Sequence, residues 1–383
     1  MKVAVLGAGG TIGPAIVADL GHSDEVSELL LLDLHRERAE AVASQHGHGK
    51  ASGAAAHAGA GPGEPGSLAD AIAGCDVLVN SASYRVNVAA MDACLHAGCH
   101  YLDLGGLYWV AKEQFETYAP AGGDRFAAEG LLAVLGIGSA PGKTNLMGVR
   151  AKRELGEVDS MHVSAGGRDL DPPPGFSVPY ALRTLIDELT LKPVVIRDGE
   201  PVEIEPLSDG GTVAFGDPIG DAEAIYTLHS EMLTFSDTFG CGEASFRLSL
   251  APELLARLRE LTDAPPDEID RAATEASPPS PNTVSVHLVE ASGPERSVRV
   301  RSVTRPVEWL GFGGGVTSTA APAAATVRVL ARGRIAARGV LPPERCIEPD
   351  ELFGELEQRG SKFDVEIVES GAAPGREAEE AAR

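Results

Sequence analysis

Residues 3–13 read VAVLGAGGTIG, a short apolar run that breaks into glycines and leads into IGPAIVADL (12–20), where Ile12, Ile16, Val17 and Leu20 fall at helical spacing. A strand, a glycine turn and a helix in that order bring backbone N–H groups and the positive end of a helix dipole onto a pyrophosphate. Gly7, Gly9, Gly10, Thr11, Ile12 and Gly13 are therefore the candidate phosphate loop. Strict G-x-G-x-x-G would put glycine at 12, where Ile12 stands; Gly7, Gly10 and Gly13 satisfy G-x-x-G-x-x-G, one residue longer. The next apolar run, ELLLLD (28–33), ends at Asp33, twenty residues after Gly13. A carboxylate there accepts both ribose hydroxyls of adenosine and repels a 2′-phosphate. That predicts NAD, with NADP as the second candidate because His35 and Arg36 soften the repulsion. A purely structural reading makes Asp33 a helix N-cap.

Further along, CDVLVN (75–80), HYLDL (100–104) and LLAVLGI (131–137) are continuous apolar runs, and NVAAMDACLHA (87–97) reads as a helix between them. Strands buried on both faces and alternating with helices imply a Rossmann-like, doubly wound parallel sheet. The third strand is faint: residues 46–67 are rich in Gly, Ala and His, and 53–57 is its expected place. After Pro141 the pattern changes. Residues 142–154 and 178–190 read as helices, and 157–164, 193–197, 223–228, 245–250, 283–289 and 297–304 alternate as strands. Period-2 alternation predicts a mixed or antiparallel sheet, hence a second, α+β substrate domain. Residues 263–282 are Pro-rich and read as a surface connection, 316–332 as a further helix, and 370–383 as a solvated tail. The expected division is a dinucleotide-binding domain of 1–140 plus 316–383, with the substrate domain at 141–315.

Composition narrows the function. The 383 residues carry 56 acidic against 32 basic side chains, a net charge of −24. Such a chain is repelled by nucleic-acid phosphates and anionic membranes, so neither is an expected partner. Cys75, Cys94, Cys99, Cys241 and Cys346 are odd in number, scattered and free of CxxC spacing, which fits free thiols in a reducing compartment and no metal site. Residues 315–333 are interrupted by Pro322 and Arg328 and too polar to span a bilayer. The chain enters a strand at its first residues with no room for a signal peptide. A soluble, cytoplasmic protein is expected.

Together these stretches resemble the saccharopine dehydrogenase family of NAD(P)-dependent oxidoreductases. Residues 75–106 are similar to the segment where the fourth strand ends near the nicotinamide, and GIGSAPGKTNLMGV (136–149) to the crossover between domains. SAGGRD (164–169) and PPGFSVPYALRTLIDELT (173–190) resemble the entry to the substrate domain. EAIYTLHSE (223–231) resembles a strand motif near the ligand, and GRIAARGVLPPERCI (333–347) the part that returns to the first domain. Within the family the likeness leans to lysine 6-dehydrogenases. Saccharopine reductases often have Asp-Pro-Gly at the crossover and Cys before the Gly-Gly pair, where this chain has Ala140 and Ala165.

The resemblance implies an NAD(P)-dependent oxidation at a carbon–nitrogen bond of an amino acid or amine, in a homodimer or higher homo-oligomer. Such a reaction needs a hydride acceptor, a base for the amine and a holder for the carboxylate. Asn80, Ser81 and Ala82, ending the fourth strand, and Gly142, opening a helix with Lys143, are the further cofactor candidates. Tyr84 is a candidate to orient nicotinamide or substrate. His229 and Glu231, two apart on a strand-like run, would share a face with Thr227. His229 then serves as base and Glu231 as ammonium holder. Gly166, Gly167, Arg183 and Tyr226 complete the substrate candidates, Arg183 as a carboxylate clamp. Two other readings compete: a saccharopine reductase or polyamine-forming imine reductase using NADPH, and a dinucleotide-binding regulator without catalysis.

Overall fold

A computed structural model describes residues 1–180, 182–262 and 264–369; the tail read at 370–383 lies outside the described residues. Six strands come first: β1 (Lys2–Leu6), β2 (Glu28–Asp33), β3 (Ala51–Ala55), β4 (Val77–Asn80), β5 (His100–Asp103) and β6 (Leu132–Val134). Eight follow in the second region: β7 (Ser160–Asp169), β8 (Val194–Arg197), β9 (Glu200–Glu203), β10 (Asp209–Ala214), β11 (Asp221–Tyr226), β12 (Glu243–Ser249), β13 (Thr283–Ser292) and β14 (Arg296–Thr304). The chain closes with β15 (Gly339–Leu341) and β16 (Ser361–Glu369).

The first sheet has seven parallel strands in the order β15-β6-β5-β4-β1-β2-β3. Val3, Val5, Leu29, Leu31, Val77 and Val79 are fully buried, because helices cover both faces, as a parallel sheet requires. The order reverses at β1, whose Leu6 pairs with Leu32 on one side and Asn80 on the other. Ligands bind outside the carboxyl ends of the strands at such a switch point. The faint third strand lies at Ala51–Ala55, two residues before its expected place. Its small residues have a packing cause: a Cβ on Gly53 would strike the backbone of Glu40 in the helix Arg36–His46.

The second sheet runs β10-β11-β12-β7-β13-β14-β16, with β8 and β9 attached beside β12. Its core pairs are antiparallel except β12 with β7. The helix Lys143–Leu155 follows the crossover and packs over β13 and β14. The stretch from 316 onward divides between the two sheets. Gly339–Leu341 joins the first, beside β6, whereas Ser361–Glu369, expected with the dinucleotide domain, pairs with β14 as an edge strand of the second. The alternation in KFDVEIV is the signal for that edge, although beyond Phe363 both faces are exposed, Val365 and Ile367 included. The stretch 263–282, read as a bare connection, contains the helix Pro266–Glu275, whose apolar Ile269 and Ala272 are buried. No described helix is long and apolar enough to cross a membrane.

Candidate active site at the meeting of the two sheets

The phosphate loop fits a dinucleotide. Gly7 has φ +76°, and a Cβ there would lie 2.6 Å from the Ala82 backbone nitrogen. A Cβ on Gly13 would lie 2.5 Å from the Gly7 carbonyl. Only glycine lets the turn fold this tightly under the helix Gly13–Gly21, which starts without a side-chain cap. Pro14 has no N–H and Ala15 donates to the Ile12 carbonyl at 3.1 Å, so the Gly13 N–H is the one left at the helix start for an anion. Gly10 and Thr11 form the exposed crest of the loop, and Ile12 is the half-buried residue before the helix. The opposite wall is built by β4. Ser81 donates to the carbonyl of Leu6 at 2.8 Å. Asn80, buried, accepts from the Ala82 N–H at 3.1 Å and donates to Asn87 and Tyr101.

Asp33 faces this loop. Its two oxygens accept from the N–H groups of Gly9 (3.1 Å) and His35 (3.2 Å). The carboxylate therefore fastens the loop to β2 while standing where an adenosine ribose would arrive. Exposed Arg38 packs its Cβ against Gly9, on the side of the loop that Asp33 also faces. It is a cation that sequence spacing did not single out.

The second cluster joins three segments. β11 ends at Tyr226, half-buried, so the strand-like run does not reach His229. Instead His229 is extended (φ −133°, ψ 148°) at the start of the helical turn Ser230–Leu233. That turn folds Glu231 back so that its Oε2 lies 3.5 Å from His229 Nδ1. The expected pair therefore meets, through a turn and not through strand periodicity. Glu231 is fully buried, and its Oε1 accepts from the Thr144 hydroxyl at 3.0 Å. His229 stacks flat on Phe246 of β12. Three polar atoms here are buried without a hydrogen-bond partner: His229 Nε2, Glu231 Oε2 and Thr227 Oγ1. Burial by itself would lower the His229 pKa, but the adjacent Glu231 carboxylate, with Glu188 behind it, outweighs burial and raises it. Glu188 is held upward by burial, against the pull of His229 and of the Tyr180 hydroxyl that bonds it.

The other candidates fall differently. Tyr84 donates its hydroxyl to Asp187 on the helix Leu182–Thr190, which Arg85 also grips at 2.6 Å. Burial and that bond push the phenol pKa up, so Tyr84 acts as a strap between the two regions. Arg183 points outward, its Nε 2.8 Å from Asp270; the helix Pro266–Glu275, not the cluster, takes its charge. Gly142, at φ +122°, has its N–H taken by Asn145 Oδ1 at 2.7 Å. The next two N–H groups go to the carbonyls of Gly138 and Ser139, so this helix start is filled from within and offers no free anion site. Gly166 is glycine because Phe215 and Ile219 pack on it. Gly167 is exposed, with only the Val284 carbonyl near.

Several residues of the cluster carry no sequence signal of their own: Thr144, Glu188, Phe246 and His287. Lys143 is fully buried, bonded to Ser318 Oγ (2.8 Å) and Thr304 Oγ1 (3.3 Å), and burial lowers its pKa to about 7. Beside it His287 is pushed well down by burial, by Lys143 and by His229. Among the described residues no group of three or more His, Cys, Asp or Glu could hold a metal ion.

Residues 3–125 match the family model described as the saccharopine dehydrogenase NADP binding domain. Carboxyaminopropylagmatine dehydrogenase from Synechocystis sp. is 29% identical over 236 residues, which is 60% of this chain and 57% of the relative's length. That match therefore spans little more than half of the curated relative. The apo saccharopine dehydrogenase (L-Glu forming) of Saccharomyces cerevisiae superposes with a TM-score of 0.69 over 96% of this chain and 99% of its own, at 13% identity, a likeness of fold. The dinucleotide cradle and the family-model match over residues 3–125 give NAD(P) as the cofactor, and this part of the chain is similar to the saccharopine dehydrogenase NADP binding domain.

Proposed function

We propose that the protein is an NAD(P)-dependent oxidoreductase acting on a carbon–nitrogen bond of a small amine, one arm of which is an amino acid. The observation that carries this reading is the His229–Glu231 pair, in which Glu231 Oε2 lies 3.5 Å from His229 Nδ1 while the buried His229 Nε2 has no hydrogen-bond partner. When bound, nicotinamide accepts or returns hydride at the carbon next to nitrogen. The chain's own residues manage the proton. With the Nδ1 proton directed at Glu231, His229 Nε2 accepts a proton from the substrate ammonium, and the two carboxylates of Glu231 and Glu188 stabilise the resulting imidazolium. In the reverse direction the same nitrogen delivers the proton to the imine. The flat contact with Phe246 fixes the ring plane.

Two substrate readings fit. A secondary amine is favoured by the curated relative, whose name describes an aminopropyl carboxylate joined to agmatine. A primary ω-amine such as that of lysine is favoured by Asp33, which suits NAD and the oxidative direction. A panel of diamines, lysine and N-(carboxyalkyl)amines with NAD and with NADP, followed by the absorbance of reduced nicotinamide, tests both. Turnover of amines with neither cofactor would remove the reading.

A further inference from the structure

We propose that Glu344 is a positioning residue whose buried carboxylate clasps the two segments that bring Glu231 to His229. The inference rests on the roles given above to His229 and Glu231. Glu344 sits in the short turn Pro343–Arg345, directly after β15 has returned the chain to the first sheet. One oxygen accepts from Asn145 Nδ2 at 2.9 Å and the other from the Thr234 hydroxyl. Asn145 in turn takes the Gly142 N–H and so sets the first turn of the helix from which Thr144 reaches Glu231 Oε1. On the other arm, the Thr234 N–H bonds the Glu231 carbonyl at 3.1 Å. Two paths thus run from Glu344, one through Asn145 and its chain neighbour Thr144 to the Glu231 side chain and one through Thr234 to the Glu231 backbone. Burial pushes the Glu344 pKa up, against the Thr234 and Asn145 bonds that pull it down. Its hydrogen bonds reach no arginine or lysine, so it is a carboxylate held by neutral donors, a costly arrangement. Its return is geometric: segments near residues 145, 231 and 344 are locked at one point.

The test follows the imidazole of His229 by NMR titration in the full-length protein, the resonance being assigned by its loss in His229→Gln. In Glu344→Ala the His229 midpoint moves down, because Glu231 is no longer held at the ring. Thr234→Val moves it the same way by less. Glu344→Gln keeps the wild-type midpoint, since an amide can accept from Asn145 and donate to the Thr234 oxygen. On a confirmed substrate, turnover of Glu344→Ala falls by up to about 100-fold, with binding of the nucleotide unchanged. An unmoved His229 midpoint in folded Glu344→Ala and Thr234→Val overturns the proposal. If Glu344→Ala does not fold, Thr234→Val decides alone. A midpoint that moves while turnover stays at wild type keeps the clasp and removes the catalytic assignment of His229 and Glu231 instead.

Discussion

The imidazole of His229 lies flat on the ring of Phe246, with centroids 3.5 Å apart and planes at 17°. Phe246 sits on β12 next to Val163 of β7, inside the second sheet. The sheet therefore sets the height and plane of the ring, and Glu231 sets its rotation from the Nδ1 side. Side chains held by both packing and an ion pair are suited to proton transfer, which tolerates little displacement.

The first prediction concerns that pair. Loss of a positioned base costs about 10²- to 10⁴-fold in rate. His229→Ala and Glu231→Gln should lower turnover by amounts in that range and leave the dissociation constant for the nucleotide within about twofold. Glu231 raises the His229 pKa, so amine oxidation should rise with pH through the His229 midpoint. In Glu231→Gln that rising limb should shift to lower pH. A pH profile that keeps its limb in Glu231→Gln would separate the two residues.

A second prediction concerns the cofactor. Asp33 holds the N–H groups of Gly9 and His35, so Asp33→Ser should weaken binding of both nucleotides while favouring NADP in relative terms. Removing a charge clash with the 2′-phosphate is worth about 1–3 kcal/mol, or about ten- to hundredfold in the NADP/NAD ratio. Arg38→Ala should move the ratio the other way. Isothermal titration with both nucleotides reads these changes. A wild type that prefers NADP would hand the specificity role to Arg38.

Legibility in the sequence followed how local each cause is. β1, its glycine turn and β2 were readable because burial on both faces forces apolar runs and the turn forces glycine at Gly7 and Gly13. β3 was nearly invisible because its residues are small for the sake of a helix packed on it. The spacing of His229 and Glu231 suggests a strand where a helical turn stands. Arg183 and Tyr84 have partners, Asp270 and Asp187, that lie 87 and 103 residues away. No local pattern reports such pairings. Glu344 likewise carries no local signal, since its contacts exist only where Asn145 and Thr234 meet it.

Lys143 gives a prediction in which substitution stabilises. Its ammonium is fully buried with two hydroxyls for partners, and burial lowers its pKa to about 7. In the unfolded chain a lysine titrates near about 10.4. Between those values the unfolded state binds the extra proton, so stability rises with pH across that window, and below it the full cost of burying the charge is present. Lys143→Met should therefore be more stable than wild type at neutral pH. The gain is about 1–3 kcal/mol, net of the Ser318 hydroxyl left without its partner. It should shrink as pH approaches about 10. Melting temperatures of the two proteins across that range check it, and a difference independent of pH would contradict the titration.

The last prediction lies where the phosphate-loop helix meets the end of the chain. Asp19, on the helix Gly13–Gly21, accepts from Arg328 at 2.9 Å and from Arg359 at 2.7 Å, while Glu355 accepts from Arg328 at 2.7 Å. All four side chains are buried. The pairs link a helix at the N-terminus to the helices Gly314–Ala331 and Pro349–Glu357, which no backbone ladder joins to it. Removing one member of a buried charge network leaves the others unpaired, at a cost of about 3–5 kcal/mol. Asp19→Asn keeps the shape and removes the charge, so it isolates that cost. Burial alone would raise the Glu355 pKa, but Arg328, Arg332 and Arg359 outweigh burial and lower it. A lowered carboxylate contributes stability above its unfolded value, about 4.3, and loses it as pH falls through the folded value. Wild type should therefore lose stability on acidification below about pH 4, and Glu355→Gln should lose less over the same range. Asp19→Asn should unfold at lower denaturant concentration with an unchanged slope. Because the same helix supplies the N–H groups of the phosphate loop, saturating nucleotide should recover part of the loss. An Asp19→Asn protein as stable as wild type would mean that the arginines are satisfied without it.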